Sequence, residues 1–178
     1  MFVIRYRRGD LLVADATVIA HGCNVIGRMG AGIAAQIRRA YPEMFEDYVK
    51  RCRRREFSVG TAYLFRLADG RGVINIGTQG RDGAELWAID LGFRALRDLC
   101  ERSAIGTVAM PKIGTGLGGL SWTDVEPLLV RAFEGSEIVV DVYVLPDEDS
   151  RTMKVPARTD DRPTSVRAGR RAGGRHEE

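Results

Sequence analysis

The sequence predicts an α/β sandwich in which helices cover both faces of a central sheet. Short apolar runs alternate along the chain with longer segments whose apolar residues recur at helical spacing. Two of the short runs are followed by glycine-rich segments, residues 27–34 and 114–120, at points where a strand leads into a helix. Such alternation is typical of sheets whose strands are connected by helices.

Six short runs rich in β-branched and aromatic residues are the predicted strands. They cover residues 2–4, 18–20, 62–65, 72–76, 107–110 and 138–144. A turn at Arg8-Gly9-Asp10 separates the first two strands, and Asp69-Gly70 joins the third to the fourth. Glycine and aspartate favour tight turns, so these two segments mark the ends of the first and third strands.

Four helices are predicted between the strands. The first opens near Gly32 and runs to about Ala40. Pro42 starts the second, because proline suits the first position of a helix. Apolar residues at helical spacing predict a third helix over residues 86–100. Ser121 can cap a fourth helix, which extends to Phe133, because its hydroxyl can accept from a free backbone N–H group.

The length and composition indicate one folded domain followed by a tail. A chain of 178 residues with 44% hydrophobic residues can bury one domain-sized core, which we expect within residues 1–146. The formal charge is +3, and from Arg151 onward there are eight Lys or Arg and four Asp or Glu residues. The rest of the chain is therefore nearly neutral, unlike a dedicated DNA-binding domain.

Residues 147–178 are basic and contain few bulky apolar side chains, which predicts a disordered tail. Two interpretations of this tail are open. It either contacts nucleic acid or an acidic partner, or it is solvated without a specific role.

The cysteines and histidines indicate neither disulfides nor a metal site. Cys23, Cys52 and Cys100 lack C-x-x-C spacing, and His21 and His176 lie far apart. We therefore expect no metal and no cofactor. The N-terminus lacks the apolar core of a signal peptide, and no segment has the ~18–20 apolar residues of a membrane span. A cytoplasmic, monomeric protein with no membrane partner is expected.

The glycine-rich segments are candidate phosphate sites. Glycine lets the backbone approach a ligand closely, and the free N–H groups at the start of the next helix attract anions. Neither segment has the Gly-Lys-Ser/Thr ending of a nucleotide P-loop, and the first lacks the spacing of a dinucleotide fingerprint. Two such segments at the carboxyl ends of parallel strands would form a clamp for a diphosphate.

Several short motifs together resemble the macrodomain family. They are Gly9-Asp10-Leu11-Leu12, Ala20-His21-Gly22-Cys23-Asn24, residues 28–34, and residues 110–117 with Trp122 beyond them. The resemblance covers about residues 1–146 and is strongest to the branch of the terminal ADP-ribose protein glycohydrolase and the DarG antitoxin. It implies a three-layer α/β/α sandwich with a mixed, mostly parallel sheet and a pocket for ADP-ribose.

The resemblance also implies a role for individual residues. Asp10, Leu11 and Leu145 would lie beside the adenine, and Asn24 would face the distal ribose. The two glycine segments would enclose the diphosphate and that ribose. The implied substrate-binding residues are Asp10, Leu11, Asn24, Met29, Gly30, Ala31, Gly32, Ile33, Ala34, Thr78, Lys112, Ile113, Gly114, Thr115, Gly116, Leu117, Gly118 and Leu145.

The residues themselves leave other interpretations open. Asp10 can cap a turn or helix after Gly9, and Asn24 can tie down the loop backbone. His21 lies within an apolar strand and is expected to be a satisfied core residue rather than a catalytic base. Lys112 can contact a phosphate or be a solvated residue at a strand end.

Two departures from the family pattern bear on the chemistry. The lysine that the glycohydrolase branch places after the fourth strand corresponds to Gln79, and the aspartate of its second loop corresponds to Gly118. The resemblance therefore implies hydrolysis by a positioned water, with Gln79, Asn24 and the loop around Gly118 as catalytic elements, rather than attack by lysine.

The substrates implied are ADP-ribosyl esters of glutamate or aspartate on proteins, or ADP-ribosylated thymidine in single-stranded DNA. Two alternatives stay open: a reader that binds ADP-ribose without cleaving it, and a phosphatase acting on ADP-ribose 1″-phosphate.

Overall fold

A six-stranded sheet forms the centre of the molecule in a computed structural model that describes residues 2–81 and 83–145. Its strands in chain order are β1 (Val3–Arg8), β2 (Val18–Asn24), β3 (Ala62–Arg66), β4 (Gly72–Gln79), β5 (Thr107–Pro111) and β6 (Val139–Val144). The helices are α1 (Gly32–Ala40), α2 (Pro42–Arg54), α3 (Leu86–Arg102) and α4 (Trp122–Phe133). A short 3-10 helix, Leu11–Val13, follows β1.

The strands are arranged in the order β1-β6-β5-β2-β4-β3. All neighbouring strands are parallel except β3, which pairs antiparallel with β4 at one edge. The predicted mixed, mostly parallel sheet is thereby confirmed. Since β2 and β5 are neighbours, the two segments that follow them emerge side by side at one edge of the sheet.

Two hydrophobic cores lie on opposite faces of this sheet. Ile37 of α1 and Met44 of α2 pack against Val73 of β4 on one face. Phe93 of α3 and Leu129 of α4 belong to the core on the other face. Because both faces of the sheet are covered, β4, which lies between β2 and β3, is buried along nearly its whole length.

Several element boundaries differ from those predicted. β1 extends to Arg8 and β2 to Asn24, because pairing with β6 and β4 satisfies their backbone groups whatever the side chains are. Helix α3 continues to Arg102, two residues beyond the predicted end, and the turn at Arg8-Gly9-Asp10 leads into a 3-10 helix, one of the two structures that Asp10 was expected to cap.

The helix starts follow the sequence signals closely. Pro42 occupies the first turn of α2, and the hydroxyl of Ser121 accepts a hydrogen bond from the N–H of Thr123 at the start of α4. In the part of the chain that the structure describes, no helix is long and apolar enough to cross a membrane. The predicted tail, residues 147–178, and the domain boundary at residue 146 lie outside the described residues.

Candidate active site

The carboxyl ends of β2, β4, β5 and β6 border a cleft of about 470 Å³. The connections after β2 and β5 form its two long walls, since these strands are adjacent in the sheet. A larger and more open concavity of about 900 Å³ lies between the start of β1 and the end of α4. Three glutamates and one arginine line that second concavity, so its net charge is negative and disfavours an anionic ligand; they are Glu126, Glu134, Glu137 and Arg131.

Every residue that the sequence predicted for the site lines the cleft. Residues that the prediction missed are Gly9, Gly22, Cys23, Arg28, Gln36, Pro111 and Tyr143. Arg28 lies within the first glycine segment. Its positive charge beside a predicted phosphate site could have identified it as a site residue from the sequence. Tyr143 pairs in register with Pro111, a relationship that depends on strand order and has no local signal.

The first glycine segment is held by Asn24. The side-chain oxygen of Asn24 accepts from the N–H groups of Ile26 and Arg28, and its Nδ2 donates to the carbonyl oxygen of Arg28. The hydroxyl of Tyr48 lies 2.8 Å from that side-chain oxygen. Asn24 therefore ties down the loop backbone, and it also forms part of the cleft wall.

Helix α1 begins at the cleft with free backbone donors. Its cap residue, Ala31, makes no side-chain hydrogen bond to the first turn. Gly32 has a φ of +58°, in the region that favours glycine, and its backbone lines the cleft beside Ile33 and Ala34. The first N–H groups of a helix carry partial positive charge, so this end suits a phosphate. Arg28, at the same wall, adds a full positive charge.

The second glycine segment is braced by its own backbone. Thr115 donates through its hydroxyl to the carbonyl oxygen of Lys112, at 2.9 Å, and the N–H of Leu120 donates to the carbonyl oxygen of Gly114. A Cβ atom placed on Gly118 would lie 2.5 Å from that carbonyl oxygen and 2.9 Å from the Cβ of Ala84. The segment in this conformation has no room for an aspartate at residue 118.

The opposite end of the cleft is largely apolar. Leu11 is 3% exposed, and Tyr143 and Leu145 line the wall beside it. Asp10 caps the 3-10 helix, because its carboxylate accepts from the N–H of Leu12 at 2.9 Å. The capping role expected from the residues alone is therefore present, and Asp10 lines the cleft as well.

Gln79 lies at the end of β4 and is half-buried. Its carbonyl oxygen accepts from the N–H of Val25, which attaches the first glycine segment to β4. Within the described residues its side-chain amide has no hydrogen-bond partner, so it is available to a ligand or a water. Thr78, the residue before it, is 3% exposed and packs against Gly22.

The groups beneath the cleft are not poised for acid or base chemistry. His21 is fully buried, and its Nε2 lies 2.9 Å from the side-chain oxygen of Asn75. Burial lowers the pKa of His21 to about 4, so the imidazole is neutral at pH 7. Burial also raises the pKa of the Cys23 thiol, which is unreactive as a result.

Trp122 does not line the cleft. Its indole N–H donates to the hydroxyl of Tyr6 at 2.8 Å, and that hydroxyl donates to Glu126. Burial, followed by the hydrogen bond to Glu126, raises the pKa of Tyr6 to about 12. These contacts attach helix α4 to strand β1, so Trp122 supports the fold rather than the site.

Comparison with known proteins agrees with this architecture. The family model described as Macro domain matches residues 20–129. The chain belongs to the Macro domain family. The match begins within β2 and ends within α4, so it includes both glycine segments, while β1 and β6 lie outside it.

Sequence relatives and solved structures show which members of the family this macrodomain resembles. It is 38% identical over 157 residues to the DNA ADP-ribosyl glycohydrolase of Mycobacterium tuberculosis, with 85% of this chain and 45% of the relative covered. The chain thus spans about half the length of that relative. The macrodomain of Mycobacterium tuberculosis DarG superposes with a TM-score of 0.75 at 39% identity, covering 79% of this chain and 97% of that structure.

A third match is Thermosipho africanus DarTG in complex with ADP-ribose. It has a TM-score of 0.71 at 26% identity, over 81% of this chain and 42% of that one. The predicted resemblance to the macrodomain family and its DarG branch is confirmed by these matches.

Proposed function

We propose that this macrodomain binds ADP-ribose and hydrolyses the bond that joins its distal ribose to a macromolecule. The observation that carries the proposal is the pair of glycine segments on adjacent strands, which flank one cleft with the start of helix α1 between them. The names of its relatives, a DNA ADP-ribosyl glycohydrolase and a DarTG bound to ADP-ribose, support it.

The cleft has suitable chemistry for each part of ADP-ribose. The diphosphate would accept hydrogen bonds from the backbone around Gly32 and from the second glycine segment, with Arg28 as a counter-charge. The adenine would lie against Leu11, Tyr143 and Leu145, with the carboxylate of Asp10 in reach of its amine. The distal ribose would then lie between Asn24 and Gln79.

With an ester substrate, the reaction needs little from a strong acid or base. Water attacks the anomeric carbon, the bond from that carbon to the leaving group breaks, and the leaving group departs with the bonding electrons. The water's proton passes to the departing group or to a bound phosphate oxygen. With an ester substrate the leaving group is a carboxylate, which is stable without protonation.

Gln79 is proposed to position this water. Its amide cannot form a Schiff base or act as an ammonium acid, so it contributes through hydrogen bonds to the water or the ribose. Asn24 holds the loop and offers its second amide proton to the ribose. The backbone of the loop around Gly118 closes the opposite side of the cleft. Fixed positioning of the water and the ribose lowers the activation barrier by several kcal/mol.

Three substrates separate the enzymatic proposal from its alternatives. They are a glutamate-ADP-ribosylated protein, an ADP-ribosylated thymidine oligonucleotide and ADP-ribose 1″-phosphate. Release of ADP-ribose from either of the first two supports hydrolysis, and release of inorganic phosphate from the third alone would indicate a phosphatase. Tight ADP-ribose binding in a calorimeter with no product from any substrate would identify a reader instead.

A further inference from the structure

We propose that a basic surface at the end of helix α2 binds the phosphate backbone of the DNA strand that carries the ADP-ribosyl group. This surface consists of Arg53, Arg54, Arg55 and Arg81. The inference rests on the proposed function. It identifies the macromolecule that is joined to the bound ADP-ribose and extends out of the cleft beside Gln79.

The topology brings the end of α2 to the same sheet edge as the cleft. Strand β3 is antiparallel to β4, and its first residue, Ala62, pairs with Ile76 near the end of β4. The N–H of Gly60 donates to the carbonyl oxygen of Gly77 at 2.8 Å, two residues before Gln79. The short segment between α2 and β3 therefore lies beside the end of β4.

The first glycine segment also contacts the last turns of α2. A Cβ atom placed on Gly27 would lie 3.8 Å from the Cβ of Cys52, the residue before Arg53. The hydroxyl of Tyr48, one turn earlier, lies 3.0 Å from the backbone N–H of Arg28 and accepts from it. The arginines at the end of α2 thus lie next to the loop that forms one wall of the cleft.

The arginines of the basic surface are exposed and only weakly neutralised. Arg54 is 70% exposed and lies 4.0 Å from Glu56, at the limit of an ion pair. Arg53, Arg55 and Arg81 make no ion pair within the described residues. Asp82, which follows Arg81 in the sequence, lies outside the described residues, and Glu85 accepts a hydrogen bond from Trp87.

These arginines are not needed to hold the fold. Arg51, by contrast, pairs with Asp47 at 2.7 Å and stacks on the ring of Tyr63, so it is a structural residue. Basic residues in the last turn of a helix complement its dipole, which accounts for Arg53 and Arg54. It does not account for Arg55, which follows the helix, or for Arg81, which follows β4.

An exposed aromatic residue extends the surface. Trp87, in the first turn of α3, is 54% exposed. Leu91, one turn further, contacts the segment at Gly60, since a Cβ placed on Gly60 would lie 2.9 Å from its Cβ.

A bridge between Gln79 and Ala84 closes the short connection from β4 to α3, so Trp87 lies near Arg81. Exposed arginines together with an exposed indole are the combination that holds single strands, through phosphate contacts and base stacking. The occupant that fits is therefore single-stranded DNA.

Binding of an unmodified single-stranded oligonucleotide, followed by fluorescence anisotropy at several salt concentrations, tests this proposal. The test variant is Arg53→Glu, Arg54→Glu, Arg55→Glu. The control variant, Arg39→Glu, Arg66→Glu, Arg102→Glu, makes the same charge change among exposed arginines at the opposite edge of the sheet. ADP-ribose affinity of each protein is measured in parallel by calorimetry.

We expect the test variant to lose roughly tenfold or more in DNA affinity at low salt, and the control variant to stay within about twofold of the native protein. Each phosphate contact contributes about 0.7 to the slope of log K against log salt for single strands, so the slope should fall by about 2. Trp87→Ala should weaken binding at high salt as well, because stacking is not screened.

Native-like DNA binding by the test variant would contradict the proposal that this surface binds DNA. An equal loss of DNA affinity in the two triple variants would contradict it as well. The proposed function fails separately, if the native protein does not bind ADP-ribose or releases it from no substrate. Unchanged ADP-ribose affinity in the test variant, together with lost DNA binding, assigns the arginines to the strand and not to the cleft.

Discussion

The hydroxyl of Tyr48 lies 2.8 Å from the side-chain oxygen of Asn24, and this contact joins helix α2 to the first glycine segment. The same hydroxyl accepts from the backbone N–H of Arg28 at 3.0 Å. Tyr48 is fully buried, and burial, the largest cause, raises its pKa, so the hydroxyl stays protonated and can donate. The conformation of a cleft wall is therefore determined by a residue that does not line the cleft.

Replacing Tyr48 with phenylalanine should loosen that wall without unfolding the protein. The ring packing is retained, while the loss of the buried hydrogen bonds costs about 1–3 kcal/mol of unfolding free energy. ADP-ribose affinity should fall several-fold, because the loop must then be ordered on binding. Urea unfolding and calorimetry measure the two effects.

Tyr63→Phe is the matched control for Tyr48→Phe. The Tyr63 hydroxyl is buried and has no hydrogen-bond partner within the described residues, so its removal should leave stability unchanged or raise it. Equal behaviour of the two variants would contradict the role given to Tyr48.

Gln79→Ala should lower turnover at least tenfold and leave ADP-ribose affinity nearly intact. The amide is proposed to position water rather than to hold the ligand, and a misplaced nucleophile costs rate rather than binding. Single-turnover release of ADP-ribose, compared with calorimetric affinity, separates the two quantities. Unchanged turnover would remove Gln79 from the mechanism.

Gly32→Glu should abolish ADP-ribose binding. The position is open, since no heavy atom lies within 4 Å of a Cβ placed there, so the longer side chain is accommodated beside the cleft. Its carboxylate would then repel the diphosphate at the start of α1. Calorimetric titration with ADP-ribose measures the loss.

Gly32→Ala controls for backbone strain, because a φ of +58° costs any L-residue other than glycine about 1–2 kcal/mol. It should lower stability by that order and retain ADP-ribose binding. Binding by Gly32→Glu at native affinity would refute the placement of the diphosphate at this helix.

Gly118→Ala should destabilise the protein more than Gly116→Ala does. A methyl group on Gly118 meets the carbonyl oxygen of Gly114 at 2.5 Å, whereas one on Gly116 meets no heavy atom within 4 Å. Overpacking of this kind costs about 1–3 kcal/mol, or a few degrees in the melting temperature. Thermal unfolding of the pair checks it, and equal melting temperatures would contradict the tight contact.

Acid should selectively weaken the link between β1 and β6. Asp141 accepts from Arg5 at 2.7 and 2.8 Å and from Arg7 at 3.2 Å. Burial acts to raise the pKa of Asp141, but the bonds from Arg5 and Arg7 outweigh it and hold the pKa below its usual 3.8. A lowered folded-state pKa stabilises the fold above 3.8, and the gain is lost as the pH falls through the folded value.

Asp141→Asn should therefore be less stable than the native protein at pH 7, and the difference should shrink below pH 3.8. Urea unfolding at pH 7 and pH 3 measures it. A stability difference that is the same at both pH values would show that the carboxylate's charge does not stabilise the fold.

The sequence by itself determined the elements and their chemistry. Apolar runs such as residues 72–76 and 107–110, the cap at Ser121 and the glycine segments are local signals, because strand burial, helix capping and positive φ depend on adjacent residues. These signals, with the family motifs, were sufficient to predict the layers and most of the residues that line the cleft.

Only the tertiary structure decided how those elements meet. Strand order places β2 beside β5, and the antiparallel β3 brings the end of α2 to the cleft. The contact of Tyr48 with Asn24, the pairing of Tyr143 with Pro111 and the lack of space at Gly118 join residues or segments distant in sequence. Such contacts depend on long-range packing and register, for which a local sequence pattern carries no signal.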